Sequence, residues 1–184
     1  MGIVLRLRNE FRRLAAPAFF LLLGTMQIPA QEVSEYQVKA AYLYNFSKFI
    51  EWPAADFANA TSPFQFCVLH DRSFAEQLAQ TVKGKMVASR PASVISVKNA
   101  EEGRSCHILF ISSSQNIEAQ VIETLRNTNV LTVGEVKGFV EEGGMINFVI
   151  QDDRVQFQVN HRAARQAGLR VSSRLLSVAK LVVE

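Results

Sequence analysis

Strand-like and helix-like segments alternate along the middle of this chain, and that alternation restricts its fold more than any other feature. The strand-like segments are short and apolar; they are Phe64–Leu69, Val94–Val97, Cys106–Ile111 and Val130–Val133. The helix-like segments between them are Ser73–Val82 and a stretch that ends at Arg126 and has Ser114 or Asn116 as its cap. Strands joined by helices of this length predict a largely parallel sheet covered on both faces.

The C-terminal part of the chain breaks this rhythm. Residues 145–150 and 155–159 both alternate at period two around a polar turn, which predicts an antiparallel hairpin. Asn160 then caps a short helix that ends at Gly168. Ser172 or Ser173 caps a last helix, which carries Leu175, Leu176, Ala179 and Val182. The predicted fold class is α/β: a three-layer domain with a mixed, mostly parallel sheet and a C-terminal antiparallel hairpin.

Residues 1–30 have the pattern of an export signal. A start containing four arginines precedes an apolar run over residues 14–23, and Ile28-Pro29-Ala30 suits a signal peptidase. We therefore expect cleavage after Ala30, with an uncleaved membrane anchor as the alternative. Residues 31–184 then form a single domain, and their length of 154 residues is enough for a substantial core.

The charge balance argues against nucleic acid as a partner. The whole chain has a pI near 9.0, but the first thirty residues hold four Arg and one Glu, so sixteen charges of each sign remain after cleavage. These charges are scattered, without the basic stripe that nucleic-acid binding requires.

Two cysteines, Cys67 and Cys106, remain in the exported chain and allow only one pairing. In an oxidising compartment we expect them to form a disulfide. A bridge closing a loop of about 40 residues contributes about 4 kcal/mol in the chain-entropy model. The bridge is either purely structural or sensitive to redox conditions.

The segment from Val33 to Ile50 reads as a helix that is apolar on more than one side. Its polar residues Lys39, Asn45, Ser47 and Lys48 leave only a narrow face for water. The helix is therefore expected to lie between its own sheet and a second protomer or a partner. The candidate contact residues are Tyr42, Phe46, Phe49 and Trp52, together with Leu175 and Leu176. The alternative is that these side chains fill the core.

No catalytic constellation can be assembled from the sequence. The three histidines, His70, His107 and His161, are far apart, and no nucleophile elbow surrounds Ser112–Ser114. The glycine-containing stretches lack phosphate-binding fingerprints. We assign no catalytic, cofactor-binding or metal-binding residue. By fold analogy, a ligand crevice would lie where strands end, near Leu69–Arg72, Ser112–Ser114 and Gly134–Gly138.

Several stretches resemble the YfiR-like (HmsC-like) periplasmic regulators. The matching stretches are Lys39–Phe46 and Phe49–Pro53, then Cys106–Ser112, Gly143–Phe148, Arg154–Phe157 and Ala167–Leu176. In order and spacing they span nearly all of residues 36–182. Cys67 and Cys106 resemble the N-terminal cysteine pair of the family, and this chain lacks the second pair that some members carry.

The resemblance implies a periplasmic regulatory protein rather than an enzyme. Such a protein represses an inner-membrane diguanylate cyclase by binding its periplasmic sensor domain, which lowers cyclic di-GMP and biofilm formation. An outer-membrane lipoprotein can release the repression by taking the regulator away. An alternative is a periplasmic small-molecule binding module that reports to a sensor kinase or a transporter. A small hydrolase is disfavoured because no constellation is present.

Overall fold

Ten strands and five α-helices make up the part of the chain that the computed structural model describes, residues 34–112 and 118–184. The helices are α1 (Glu35–Phe49), α2 (Arg72–Val82), α3 (Glu118–Thr124), α4 (His161–Gln166) and α5 (Ser173–Leu176). The strands are β1 (Ile50–Glu51), β2 (Phe64–Leu69), β3 (Met86–Val87), β4 (Arg90–Val97), β5 (Ile108–Ile111), β6 (Leu131–Gly134), β7 (Ile146–Gln151), β8 (Arg154–Asn160), β9 (Arg170–Val171) and β10 (Leu181–Val183).

Eight of these strands form one sheet, in the order β10-β8-β7-β6-β5-β2-β4-β3. Neighbours pair in parallel except at two places, the β7–β8 hairpin and the β3–β4 pair. The predicted mixed, mostly parallel sheet with a C-terminal hairpin is therefore confirmed. β1 and β9 form a separate antiparallel sheet, with Ile50 opposite Val171, which the sequence analysis did not predict.

Side-chain caps fix where the helices begin. Ser34 and Gln37 form a reciprocal capping box at the start of α1. The carboxylate of Asp71 accepts from the backbone N–H of Phe74 and starts α2. Asn160 caps α4, as predicted, and Ser172 caps α5. Short polar residues at these positions satisfy backbone donors that would otherwise lack a partner.

Alternating strand residues build a core on each face of the sheet. On one face Phe66, Val68 and Phe110 belong to the large core that also contains the buried residues of α1 and α2. The core on the other face contains four strand residues, Cys67, Leu69, Leu109 and Ile111. It also contains Val121 and Leu125, and Phe139 of the loop before β7. The sheet is thus covered on both faces, which gives the predicted three layers.

Element boundaries differ from the prediction mainly at the C-terminus. The last helix ends at Leu176, so Ala179 lies beyond it and Val182 lies in a strand. The physical reason is that Leu181–Val183 pairs in parallel with Gln158–Asn160 and extends the sheet. The first residues of β4 and β5 also differ from the prediction. β4 begins at Arg90 rather than Val94, and β5 begins at Ile108 rather than Cys106.

Three sequence predictions lie outside the described residues: the signal peptide at residues 1–30, the helix start at Val33, and the cap at Ser114 or Asn116. None of the helices that the structure describes has the length and hydrophobicity to span a bilayer.

Candidate functional site

The strand order reverses between β2 and β5, in the centre of the large sheet. From β2 the chain passes to β4 on one side and then crosses to β5 on the other. In open α/β sheets, ligands bind outside the carboxyl ends of the strands at such a switch point. The predicted crevice residues Leu69–Arg72, Ser112 and Gly134–Gly138 follow or end β2, β5 and β6, so the structure brings them to one edge. Ser113 and Ser114 lie outside the described residues.

The first two turns of α1 cover this carboxyl edge. The hydroxyl of Tyr36 donates a 2.7 Å hydrogen bond to Asp71, which follows β2. The ammonium of Lys39 forms ion pairs with Glu35 on its own helix and with Glu135, which follows β6. Ser112, after β5, donates to the second oxygen of Glu135 at 3.4 Å. Polar side chains of α1 therefore close the ends of three strands.

Lys39 is the buried charge of this cluster, with only 4% of its surface exposed. Burial lowers its pKa, but hydrogen bonds and charge interactions with Glu135 and Glu35 outweigh that effect and raise the pKa overall. The ammonium therefore stays charged at neutral pH. The sequence prediction that Lys39 lies on a wet face of the helix is wrong, because Lys39 is buried and pairs with Glu135, 96 residues away.

Ser47 corrects the same prediction, since it too is buried. Its hydroxyl donates to the carbonyl of Tyr44 at 2.7 Å, which satisfies the donor without water.

Tyr36 keeps its proton across the physiological range. Its hydrogen bond to Asp71 raises the pKa to about 12, with burial and the negative charge of Asp71 acting in the same direction. The phenol is therefore a fixed donor, and its ring packs edge-on against Phe74 at 5.2 Å. This pair holds the N-terminus of α1 against the start of α2.

Beside the covered switch point lies a cleft of about 560 Å³ at the end of β6. The residues that line it include Tyr36 and Lys39 of α1, Glu135 after β6, and Asn147 and Ile150 of β7. Asn147 is only 1% exposed, and its side-chain oxygen has no hydrogen-bond partner among the described residues. A buried amide oxygen without a partner costs free energy, so its position at a cleft requires an explanation.

The structure places the six predicted contact residues at the core or its margin. Phe46 and Leu175 are buried in the core of the chain itself. The other four are partly buried and pack against that core; they are Tyr42, Phe49, Trp52 and Leu176. The role of all six as contacts with a partner or a second protomer stays a prediction.

Trp52 belongs to an aromatic cluster at the amino edge of the sheet, opposite the candidate site. Its indole N–H donates to the carbonyl of His107 at 3.2 Å, and its ring meets Phe64 edge-on at 4.9 Å. The imidazole of His107 stacks between Phe57 and Phe64, at 4.5 and 4.7 Å. This cluster explains why His107 is buried without assigning it chemistry.

Cys67 and Cys106 form the predicted disulfide, with their Cα atoms 6.0 Å apart. The bridge links the middle of β2 to a residue two positions before β5 and is buried in the core of the second face. Among the described residues, no group of His, Cys, Asp or Glu side chains has the arrangement of a metal site.

Sequence reasoning missed two residues of the candidate site, Tyr36 and Asn147, and it placed Glu135 in the crevice without its ion pair to Lys39. The contacts of Tyr36 and Glu135 gave no local signal, because their partners are distant in sequence. Asn147 did give one. It is an amide flanked on both sides by apolar strand residues, at a position that the period-two pattern assigns to water.

Comparison with known families identifies the family of this chain. Residues 36–180 match the family model described as YfiR/HmsC-like. This protein belongs to the YfiR/HmsC-like family. Members of this family are periplasmic and regulatory rather than catalytic, and their role implies a protein partner in signalling.

Solved structures share the fold at low sequence identity. One is a conserved domain protein from Vibrio cholerae, at 9% identity and a TM-score of 0.55, with 81% of this chain covered. Another is the ABC domain in complex with L-Trp from Streptococcus pneumonia, at 11% identity and a TM-score of 0.51, with 80% covered. This chain spans 60% of the length of each. A comparison with curated proteins gave no match.

Proposed function

We propose that this protein is a periplasmic regulator that holds an inner-membrane diguanylate cyclase inactive by binding the periplasmic sensor domain of the enzyme. The observation that carries the proposal is the family match over residues 36–180. Repression lowers cyclic di-GMP and biofilm formation. An outer-membrane lipoprotein that competes for the regulator would relieve the repression.

Such a regulator needs no catalytic residue. It has to bind one state of the sensor domain more tightly than the other, and the difference in affinity sets the shift in population. A disulfide of the Cys67–Cys106 kind suits a protein that works in an oxidising compartment.

The carboxyl edge supports a regulator over a small-molecule binding module. The place where such a module would hold its ligand is the one that Tyr36 and Lys39 cover with their polar contacts to Asp71 and Glu135. Beside it, Tyr36 and Ile150 expose 38% and 54% of their surfaces at the mouth of the cleft. Exposed apolar groups at a cleft are typical of protein-binding surfaces.

The six predicted contact residues contribute to this proposal in two ways. Tyr42, Phe49, Trp52 and Leu176 keep some exposed surface, which a sensor domain or a second copy of the chain can contact. Phe46 and Leu175 are buried, so they would act by holding those neighbours in place. Aromatic anchors of this kind often dominate interface energetics.

Gene deletion followed by partner capture tests the proposed function. Deletion should raise cyclic di-GMP and biofilm mass, and the full chain should restore both. A matched control is the chain without residues 1–30, which should stay in the cytoplasm and fail to restore them. Unchanged cyclic di-GMP, together with no membrane cyclase among proteins crosslinked to the exported chain, would show the proposal to be wrong.

A further inference from the structure

The outer half of β7 has a free backbone edge. On one side β7 pairs with β8 along its whole length, from Ile146 to Gln151. On the other side its pairing with β6 ends at Asn147, opposite Gly134. From Phe148 to Gln151, no described strand lies against this second side. An unpaired edge of this kind is a template for another strand.

The turn of the hairpin shows which backbone groups are involved. Asp152 and Asp153 form a two-residue turn with φ values of 50° and 56°, as in a type I′ hairpin. The flanking residues Gln151 and Arg154 then exchange both of their backbone hydrogen bonds. Because hydrogen-bonded pairs alternate in an antiparallel ladder, the N–H and C=O of Ile150 point away from β8. They point to the free edge.

The cleft of about 560 Å³ lies along this same edge, since Phe148, Val149 and Ile150 line it. Its volume falls within the usual range of binding pockets, about 300–1,000 Å³. β6 ends at Gly134, so it does not continue beside the outer half of β7. Asn147 adds the buried side-chain oxygen, which has no partner among the residues that the structure describes.

Exposed charges around the cleft are mainly negative. Glu35 and Glu141 line it, and Asp152 and Asp153 lie at the end of β7. The exposed cations nearby are Lys137 and Arg154. This imbalance favours a partner segment that carries Lys or Arg.

We propose that the cleft binds an extended, basic and apolar segment of a partner protein, which adds as a short strand beside Phe148–Gln151. Successive side chains of an added strand face opposite sides of the sheet. One side chain would be apolar and pack between Tyr36 and Ile150. The next would be a Lys or Arg that donates to Asn147 and pairs with Glu141. Backbone pairing gives affinity, and these two contacts give specificity.

The proposed binding site rests only on the cleft, the free side of β7 and the surrounding charges. Only the identity of the partner, the sensor domain of the cyclase, rests on the proposed function.

A designed peptide tests the site without the natural partner. The probe is a six-residue peptide that alternates Lys and Ile, and the charge-reversed control has Glu in place of Lys. Binding of the Lys peptide should shift the amide resonances of Ile150 and Tyr36 and protect the Ile150 amide from hydrogen exchange.

Ile150→Lys should weaken this binding by about tenfold or more. Val178→Lys is the matched control, because Val178 is 67% exposed and does not line the cleft. Unshifted Ile150 and Tyr36 amides, or equal binding by Ile150→Lys and the wild type, would overturn the inference.

The sensor domain of the cyclase is the second probe, and it separates the two proposals. Sensor binding that Ile150→Lys abolishes and Val178→Lys preserves supports both. Equal sensor binding by all three proteins overturns this use of the site and leaves the proposed function standing. Failure of the sensor to bind the wild type counts against the proposed function, while the peptide experiment still decides the site.

Discussion

The two edges of the large sheet are closed by different interactions. At the amino edge, rings stack on one another: Arg90 lies 3.8 Å from the ring of Phe57, which stacks on His107, which stacks on Phe64. At the carboxyl edge, Tyr36 and Lys39 make hydrogen bonds and ion pairs across the strand ends. The cavity beside His107 at the amino edge is about 190 Å³, whereas the cleft at the carboxyl edge is about 560 Å³. His107 Nε2 at the amino edge and the side-chain oxygen of Asn147 at the carboxyl edge both lack a hydrogen-bond partner among the described residues.

The difference suggests a division of roles between stability and binding. Stacked, buried rings contribute mainly through apolar area and packing. Polar contacts hold α1 in place over the carboxyl ends of the strands. The nearby outer half of β7 has no strand paired on its second side among the described residues. Substitutions at the amino edge should therefore act mainly on the free energy of unfolding, and substitutions around the cleft mainly on binding.

Phe64→Ala should give the largest loss of stability. Phe64 is 1% exposed and touches Trp52, Phe66 and His107. Its truncation should lower the free energy of unfolding by about 3–5 kcal/mol, as measured by urea denaturation. Phe57→Ala is the control, because Phe57 is only partly buried and should cost less than half as much. Similar costs for the two variants would mean that the amino edge is not a packed core.

Removal of the disulfide should have the next largest effect. The bridge spans a sequence separation of 39 residues. Replacing Cys67 and Cys106 together by Ala should cost about 2–4 kcal/mol. Dithiothreitol should destabilise the wild type by a similar amount and leave the double variant unchanged. A wild type whose unfolding midpoint does not respond to reductant contradicts this prediction.

Lys39→Met should destabilise the carboxyl edge by about 1–3 kcal/mol, because it leaves the carboxylate of Glu135 at the strand ends without its buried cation. Glu35→Gln is the matched control. Its side chain is 52% exposed, so loss of its ion pair with Lys39 should cost less than about 1 kcal/mol. Equal effects of the two variants would show that the buried pair has no special role.

The smallest effect should be a change in pH dependence at His107. Burial lowers the pKa of its imidazole below the usual 6.5, with Arg90 acting in the same direction and the negative charge of Asp56 opposing. The unfolded chain therefore binds more protons than the folded chain as the pH falls below 6.5, and stability is lost on acidification. The backbone N–H of Gln65 donates to Nδ1 at 3.0 Å, so a proton there would place two donors face to face.

Unfolding free energies measured between about pH 7.5 and 5.5 check this prediction. The wild type should lose more stability over this range than His107→Gln, which cannot gain the proton. Parallel pH curves for the two proteins would refute a neutral, buried His107. An NMR titration of the imidazole, with a midpoint below that of a model peptide, would be direct support.

Sequence pattern predicts the centre of this fold well and its margins poorly. Central strands such as Phe64–Leu69 are apolar on both faces, so composition and length identify them. β1 and β9 have two residues each, too few for any periodicity. Val182 has the spacing of a helical residue but lies in β10, because pairing with β8 overrides local preference.

The sequence predicts where the candidate site lies but not which side chains meet there. The topology rule pointed to the ends of β2, β5 and β6, and the structure brings those ends together. Its polar contacts depend on pairs separated by 35 and 96 residues, Tyr36 with Asp71 and Lys39 with Glu135. No local pattern encodes such pairs, so Lys39 reads as a surface residue until the fold supplies its partner.

The disulfide also determines how the chain behaves after a cut. The covalent ring that it closes contains α2, β3 and β4. A protease that nicks any exposed turn between Cys67 and Cys106 opens this ring without separating the chain into two molecules. A non-reducing gel would show an unchanged mass, and only reduction would release the fragments. After such a cut, this half of the sheet stays covalently connected as one body.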